Sequence, residues 1–464
     1  MTSGLPNRHW EARFAPLSAY HHQGRRDGTE RHGHRRVSGA ASLAVGAEAP
    51  EGRAGGGMTA RAMGVIFAAS FGCFVSVTPT VMTTLGIYLV PMSQDFGWSR
   101  SEVAGAMSIV ALANAIAYPF VGRLADRIGP RRTVLIGNIL LGLSILAVSQ
   151  VPAQHALFYL LFGIVGGAGA LPSGMVIAKL LAEWFDKTRG LWMGFCGGVG
   201  NGLGSTAFPL LAAALLAPFG WRIGFLLIGA IVLLLGFPIL YFLLRDAPVR
   251  TDAAVPGTAT TKAPAAELTG MRFREAMVSP RFWIMFSIVP LSAGCLTAMF
   301  SPIVPLLTDR GLSLGDATSV IVVFALTTIV VEPIAGVVMD KTPNPRIIAP
   351  CYLTTCAGLW MLLHTGDFAT LLGAGFLIGV GAGVQFSVLP YLLSRYFGLR
   401  ELGAISGVAY GGTLFFGAAA PLLLNIAFDM TGSYALAIYG IIAILVYSAA
   451  MILTFPKYRY LAAH

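Results

Sequence analysis

The chain has 464 residues, of which 56% are hydrophobic and only 11% are charged, and its formal net charge is +10. A soluble globular protein of this composition would have too few polar side chains to cover its surface, so the composition excludes that class. Apolar runs that repeatedly reach the roughly 20 residues needed to cross a bilayer as a helix predict an integral membrane protein embedded in lipid.

The first segment, residues 1–57, is rich in Arg, Gly and His and contains no apolar stretch long enough for the core of a signal peptide. Two interpretations remain open. The segment is either a disordered, basic cytoplasmic tail that touches anionic lipid, or a non-native extension ahead of a true start at Met58. We favour the second interpretation, because Met58 leads directly into the first apolar run.

Twelve apolar runs follow and predict twelve transmembrane helices, called spans 1 to 12. Their predicted limits are 62–91, 102–122, 133–150, 155–182, 190–216, 221–244, 281–307, 316–339, 346–365, 368–394, 402–428 and 433–455. Only the connection between spans 6 and 7 is long and polar. The predicted organisation is an N-terminal six-helix bundle (58–244), a cytoplasmic linker (245–280), a C-terminal six-helix bundle (281–456) and a cytoplasmic tail (457–464).

Basic residues are distributed unequally between the two sets of loops. One set contains most of the loop arginines and lysines, whereas the opposite set contains only Arg100, Arg222 and Arg310. Because cytoplasmic loops are enriched in Lys and Arg, the basic set is predicted to be cytoplasmic. Both termini are therefore expected in the cytoplasm, with the chain in the inner (plasma) membrane as a multi-pass protein.

The sequence contains an internal repeat. The pattern V-P-x-x-x-D-x-G-x-S occurs at 90–99 and 304–313, and P-x-x-G-x-x-x-D-[RK] occurs at 119–127 and 333–341, both with an offset of 214 residues. Glycines of spans 5 and 11 repeat with an offset of 213. An even number of spans per repeat predicts two bundles in the same orientation, related by an axis normal to the membrane. The predicted fold is therefore an all-α membrane protein of two six-helix bundles.

The loop after span 2 resembles the signature loop of the major facilitator superfamily. The matching positions are Gly122, Asp126, Arg127, Gly129, Arg131 and Arg132. Together with twelve spans and the repeat, this resemblance covers about residues 60–460. It implies the major facilitator fold, in which two bundles rock about a central site and expose it to each side in turn. It also implies a transporter that works as a monomer, is not an enzyme, and needs no metal or other cofactor.

For the residues of this loop, the resemblance implies a cytoplasmic gate. The Asp126 carboxylate is expected to face the N-terminal end of span 11 near Leu402 and Gly403, where the helix dipole favours a negative charge. Gly129 is expected to permit a tight turn. The loop arginines are expected to pair locally or with lipid phosphates.

A narrower resemblance is to the bacterial branch of the monocarboxylate porter and oxalate/formate antiporter families. It rests on segments 95–100, 184–194 and 394–400. In those families a basic residue on span 8 or span 11 commonly pairs with the substrate carboxylate. Here span 8 has Glu332 at the position before a proline, and no Lys or Arg lies between Gly403 and Phe428 on span 11.

Glu332 is therefore the candidate for proton coupling or substrate binding. A charged, unpaired carboxylate inside a span costs several kcal/mol, so the group should be protonated or face a polar cavity. A structural role near the membrane interface is the competing interpretation. Eight further polar residues are candidates for lining a central cavity, although each alone also suits a helix–helix hydrogen bond. These residues are Asn114, Tyr118, Ser173, Asn201, Thr297, Thr328, Gln385 and Tyr410.

The sequence predicts a secondary-active transporter of a small organic solute, a monocarboxylate-like metabolite, with protons as the candidate coupling ion. An exporter of amphipathic or drug-like compounds is the first alternative, because the predicted cavity lacks a buried cation. A non-transporting sensor or membrane enzyme is the second, and it lacks support because no catalytic constellation, metal cluster or nucleotide loop is found in the sequence. No nucleic-acid partner is expected.

Overall fold

The computed structural model of the protein describes residues 59–248, 268–299 and 303–460. The predicted N-terminal extension, the central part of the linker and the last residues of the tail lie outside the described residues. Within them the backbone is helical or irregular apart from one isolated bridge between Gly270 and Gly398.

The helices follow the predicted spans in order, and a short helix, Phe273–Val278, precedes span 7. Span 1 comprises Ala60–Phe74, Thr78–Met82 and Thr83–Phe96, span 2 is Arg100–Ile128, span 3 is Pro130–Ser149, and span 4 comprises His155–Gly169 and Gly174–Trp184. Spans 5 and 6 share a run of consecutive helical segments, which are Arg189–Gly194, Phe195–Gly200, Asn201–Ile231, Val232–Gly236 and Phe237–Leu243. The bounds for spans 7 to 12 are Pro280–Ala298 with Ile303–Thr308, Leu314–Lys341, Pro345–Ile348 with Ala349–His364, Phe368–Phe397, Leu402–Thr431 and Ala435–Leu453.

Eleven helical stretches in the described residues are long and apolar enough to cross a membrane, and one of them contains two crossings. The stretch Arg189–Leu243 has 55 residues, about 80 Å of helix at 1.5 Å per residue, more than twice the hydrocarbon thickness. Gly220 breaks it with a φ of 75°. The chain then returns, because Arg222 lies at one end of span 3, where it donates to the Val151 carbonyl, and Arg131 at the other end of that span donates to the Leu244 carbonyl. Spans 5 and 6 are thus separate, as predicted.

Three predicted spans are not continuous helices. Span 1 was expected to run unbroken over 62–91, but a helix ends at Phe74 and the next one begins at Thr78. Span 4 was expected to run unbroken over 155–182, but the helix ends at Gly169 and restarts at Gly174. Pro172 lies in the gap, and proline cannot donate the backbone hydrogen bond of a helix interior. Span 7 was expected over 281–307, but a helix ends at Ala298 and a second one begins at Ile303.

The two bundles meet through two pairs of helices, span 2 with span 11 and span 5 with span 8. Glycines allow the backbones to touch: a Cβ on Gly122 would clash with the Gly403 carbonyl oxygen, and a Cβ on Gly336 would clash with that of Gly190. Small residues at such crossings allow membrane helices to approach closely. These contacts lie towards the membrane face at which span 1 begins and span 12 ends, which we call the terminal face.

Candidate functional site

Asp126 joins the two bundles at the terminal face. Its Oδ1 accepts a hydrogen bond from the Gly403 amide at 2.9 Å, and its Oδ2 accepts one from the Ala404 amide at 2.7 Å. Both amides belong to the first turn of span 11, where backbone N–H groups lack partners within the helix and the dipole favours an anion. Lys179 Nζ lies 3.0 Å from Asp126 Oδ1 and 2.8 Å from Glu183 Oε1, so the gate carboxylate is also part of a buried ion-pair cluster.

Asp340 makes the equivalent contact in the other pair of helices. Its Oδ1 accepts from the Gly190 amide at 2.8 Å, and its Oδ2 accepts from the Leu191 amide at 2.9 Å. These amides form the start of span 5. The repeat with an offset of 214 residues marks Asp340 as the counterpart of Asp126, in a simplified copy of the signature loop at 336–341.

A third link between the bundles uses charged side chains. Arg395 on span 10 donates from Nη1 to Asp186 Oδ1 at 2.8 Å and from Nη2 to the Asp186 carbonyl at 2.7 Å. Arg189, which begins span 5, donates to Ser394 Oγ at 3.1 Å. Both guanidinium groups are buried. Sequence analysis missed this cluster, because the pairing brings together residues about 200 positions apart that share no repeat.

The remaining residues of the signature loop have separate roles. Gly129 has a φ of 89° and turns the chain from span 2 into span 3. Arg131 donates to the carbonyls of Leu244 and Tyr241 at the end of span 6, which satisfies acceptors that the helix end leaves free. Arg127 and Arg132 are exposed.

Glu332 lies where span 8 crosses span 5, and it is 6% exposed. Its carboxylate faces Gly197 and Gly198: a Cβ on either glycine would come within 2.8 Å of a Glu332 carboxylate oxygen. These glycines belong to a π-helical turn, Phe195–Gly200, and such turns are frequent at functional sites. Among the described residues, none forms an ion pair or a hydrogen bond with the Glu332 carboxylate.

Side chains from spans 1, 5 and 11 lie near Glu332, and one from span 2 lies beside that of span 11. Cys73 of span 1, Cys196 of span 5 and Tyr410 of span 11 are all within electrostatic range of its carboxylate. The ring of Tyr118 on span 2 lies 6.0 Å from that of Tyr410, centroid to centroid. We call these five residues the central cluster. No spacing pattern in the sequence links either cysteine to Glu332.

The other candidates for lining a cavity lie outside the central cluster. Gln385 donates to Ser292 Oγ at 2.6 Å within the C-terminal bundle. Thr297 and Thr328 each donate to a carbonyl one turn earlier in their own helix, and Asn201 accepts from Ser205. Asn114 Oδ1 and Gln385 Oε1 are each buried with no hydrogen-bond partner among the described residues. Ser173 lies beside Tyr118 of the central cluster.

The segment after span 1 that carried the narrower resemblance ties helices of one bundle together at the face opposite the terminal face. Asp95 Oδ2 lies 3.1 Å from Arg222 Nη2 and accepts from Trp221 Nε1 at 3.3 Å. Arg222 also donates to the Val151 carbonyl. Trp98 stacks on His155, with ring centroids 3.9 Å apart. These contacts hold the loops of the N-terminal bundle in place.

Comparisons with known proteins agree with this architecture. A family model described as Major Facilitator Superfamily matches residues 63–315 and 286–462. Monocarboxylate transporter 13 of Bos taurus is 27% identical over 390 residues, which cover 82% of this chain and 86% of that protein. The gallate transporter of Pseudomonas putida is 29% identical over 399 residues, which cover 74% of this chain and 84% of that protein.

Among solved structures, the major facilitator superfamily transporter FucP in its outward conformation superposes with a TM-score of 0.62 at 13% identity, covering 84% of this chain and 98% of that one. This likeness and the helix order confirm the predicted fold class, and the family match supports a transporter rather than an enzyme. The chain belongs to the Major Facilitator Superfamily and is a multi-pass membrane transporter of small solutes.

Proposed function

We propose that the protein is a proton-coupled, secondary-active transporter of a small monocarboxylate-like solute. The observation that carries the proposal is the buried position of Glu332 in the central cluster, with no cation or hydrogen-bond donor of the described residues bound to its carboxylate. Two relatives, a monocarboxylate transporter and a gallate transporter, support a carboxylate as substrate.

The cluster contains one carboxyl group, two phenols and two thiols, and no lysine or arginine. An anionic substrate beside an ionised Glu332 would be repelled strongly in this low-dielectric site. Protonation of Glu332 removes the repulsion and supplies an O–H donor for the substrate carboxylate. A substrate anion and a proton therefore bind together more favourably than either alone, which is the linkage that coupled transport requires.

Alternating access follows from the contacts between the bundles. In this proposal, the contacts that Asp126, Asp340 and Arg395 make with the opposite bundle keep the terminal face closed. Release of these contacts would open the terminal face while the central cluster stays at the crossing of the spans. From the excess of Lys and Arg in the loops of the terminal face, we infer that this face is cytoplasmic and that both termini lie there.

The experiment compares uptake of labelled carboxylates into proteoliposomes with and without an inward proton gradient. The panel should include a small aliphatic carboxylate, benzoate and gallate, each beside its neutral amide. The natural protein is expected to accumulate one of the carboxylates when the gradient is imposed, and to accumulate none of the amides.

The variant Glu332→Gln carries a permanently neutral side chain of nearly the same shape. It should retain exchange of substrate across the membrane and lose accumulation driven by the gradient. Asp316→Asn is the matched control, since Asp316 lies at the exposed start of the same helix. Accumulation that persists in Glu332→Gln would refute proton coupling through this residue.

A second candidate function is export of amphipathic compounds, favoured by the absence of lysine and arginine from the central cluster. In the same vesicles, exclusion of an amphipathic dye together with no uptake of any carboxylate would favour export. Binding of a solute without accumulation would favour a sensor.

A further inference from the structure

An open pocket of about 910 Å³ lies on the terminal face where the two bundles meet. One wall is the end of span 2. The other comprises the short helix before span 7 and the start of span 11. The lining residues are Arg123, Asp126, Arg127, Arg272, Phe273, Arg274, Glu275, Val278, Arg400, Glu401 and Ala404.

The three acidic residues of the pocket are held by backbone amides. Asp126 binds the amides of span 11, Glu275 accepts from the Arg272 amide at 3.1 Å, and Glu401 accepts from the Phe273 amide at 2.6 Å. None of the three forms an ion pair with an arginine of the pocket in the described part of the chain. The negative charges are therefore already engaged.

Four of the arginines, in contrast, are available to an anion. Arg123, Arg127, Arg272 and Arg274 make no ion pair with any described residue, and all four are exposed. Arg123 lies over the ring of Phe273, with its guanidinium carbon 4.9 Å from the ring centroid, so a side chain of one bundle already reaches the other. Guanidinium groups bind phosphate oxygens in bidentate fashion, and several of them converge here.

The rim of the pocket is apolar. Val278 is 82% exposed, and the neighbouring Trp283 is 51% exposed, with its indole N–H donating to the Met277 carbonyl. Tryptophan in this setting is typical of the membrane–water interface. A ligand that suits both the arginines and the apolar rim has an anionic head and a hydrocarbon tail. We propose that this pocket binds the phosphodiester headgroup of an anionic phospholipid, whose acyl chains lie against Val278 and Trp283.

Such a lipid would act on the movement of the bundles. Arg123 and Arg127 belong to one bundle, and Arg272 and Arg274 belong to the end of the linker, whose short helix packs on the other bundle, so one headgroup neutralises charge on both sides. Its binding therefore favours the state in which the terminal face is closed. Asp126 lies in the wall of the same pocket. Lipid binding at this pocket does not depend on which solute is carried. If the lipid does not bind, the proposed function is therefore unaffected.

The test measures binding of phosphatidylglycerol to the purified full-length protein by native mass spectrometry, with phosphatidylcholine as the uncharged comparison. The variants are Arg123→Gln/Arg127→Gln and, independently, Arg272→Gln/Arg274→Gln. Each should weaken binding about 30-fold, given the attraction of about two basic residues to an anionic lipid. The control is Lys187→Gln/Arg346→Gln, which removes two exposed basic residues of the same face outside the pocket and should leave binding within about twofold.

Two readouts separate the lipid from other anions and from general surface charge. Inorganic phosphate and glycerol phosphate, added in excess, should fail to displace the lipid, because neither has an acyl chain to bury. Equal losses in the control and in both pocket variants would overturn the proposal, as would binding that is unchanged in both pocket variants. Displacement of the lipid by inorganic phosphate would show a free-phosphate site and overturn the lipid assignment. If one double variant fails to fold, the other decides the result alone.

Discussion

Asp126 and Asp340 lie 214 positions apart and bind opposite bundles in the same way, each through two consecutive backbone amides at the start of a helix. The paired oxygens are 2.7 to 2.9 Å from their amide nitrogens in both cases. The only charged partner within 4 Å of either carboxylate among the described residues is Lys179, beside Asp126. The two bundles are thus joined by two related contacts with different surroundings.

The first prediction concerns these two contacts. Asp126→Asn and Asp340→Asn each replace a charged acceptor by a neutral one, which weakens hydrogen bonds worth about 1.5 to 3 kcal/mol apiece. Each variant should open the terminal face more often. The measurement is the labelling rate of Cys73 and Cys196 by a small permeant maleimide, because both thiols are buried at the crossing of the bundles. We expect labelling of the two thiols to be about tenfold faster in each variant than in the protein with both aspartates. Labelling should be faster in Asp126→Asn than in Asp340→Asn, because Asp126→Asn also loses its ion pair with Lys179.

The labelling experiment needs a background in which the other three cysteines, Cys295, Cys351 and Cys356, are changed to serine. Asp316→Asn serves as the control, since it removes a partly exposed aspartate in the first turn of span 8, at the opposite end of that span from Asp340. Unchanged labelling in both gate variants would show that the carboxylates do not limit opening.

The second prediction tests how closely span 5 must approach Glu332. A Cβ added at Gly198 would lie 2.8 Å from a carboxylate oxygen and 3.0 Å from the Glu332 Cβ, so Gly198→Ala must displace the side chain or separate the spans. Gly167→Ala is the matched control, because nothing lies within 4 Å of its added methyl group. We expect Gly198→Ala to reduce gradient-driven uptake by at least tenfold, a barrier change of about 1.4 kcal/mol. Gly167→Ala should leave uptake unchanged and raise thermal stability slightly.

The contacts of Asp126, Glu332 and Gln385 differ in how far the sequence predicts them. Patterns that repeat along the chain predict the number of spans, the order of the bundles and the partner of Asp126. In the structure, the Gly403 amide donates to the Asp126 carboxylate. The neighbours of Glu332 follow from no such pattern, since Cys73 and Cys196 reach it only through the crossing angles of three helices. Gln385 as a cavity-lining residue stays a prediction: its amide nitrogen donates to Ser292 inside one bundle, while its Oε1 is buried with no hydrogen-bond partner among the described residues.

The third prediction concerns Asp95, part of the segment that resembles the monocarboxylate porter motif. Its ion pair with Arg222 is about half exposed, 47% and 41% respectively, so solvent screening leaves it worth about 0 to 1 kcal/mol. Asp95→Asn should therefore lower the midpoint of thermal unfolding by only a few degrees and leave the labelling of Cys196 unchanged. Faster labelling would mean that this loop takes part in the gate and is not confined to holding one bundle together.

The fourth prediction concerns the segment after span 12, which lies across the terminal face. Tyr458 is 4% exposed and packs edge-on against Tyr391 and Tyr396, with ring centroids 5.7 and 5.6 Å away. Two residues later, the Tyr460 amide donates to the Arg395 carbonyl at 2.9 Å. The tail therefore supports the arginine that reaches Asp186 of the other bundle.

Tyr458→Ala should remove this support. Loss of a buried aromatic ring costs about 3 kcal/mol, and the coupling between Arg395 and Asp186, measured by a double-mutant cycle on thermal stability, should fall by at least half. Tyr460→Ala is the control, because the contacts of Tyr460 with Arg395 use backbone atoms that the substitution retains. If Tyr458→Ala lowers stability but the coupling is unchanged, the tail only packs on its own bundle. If the coupling falls equally in Tyr460→Ala, the support comes from that side chain and not from the buried ring.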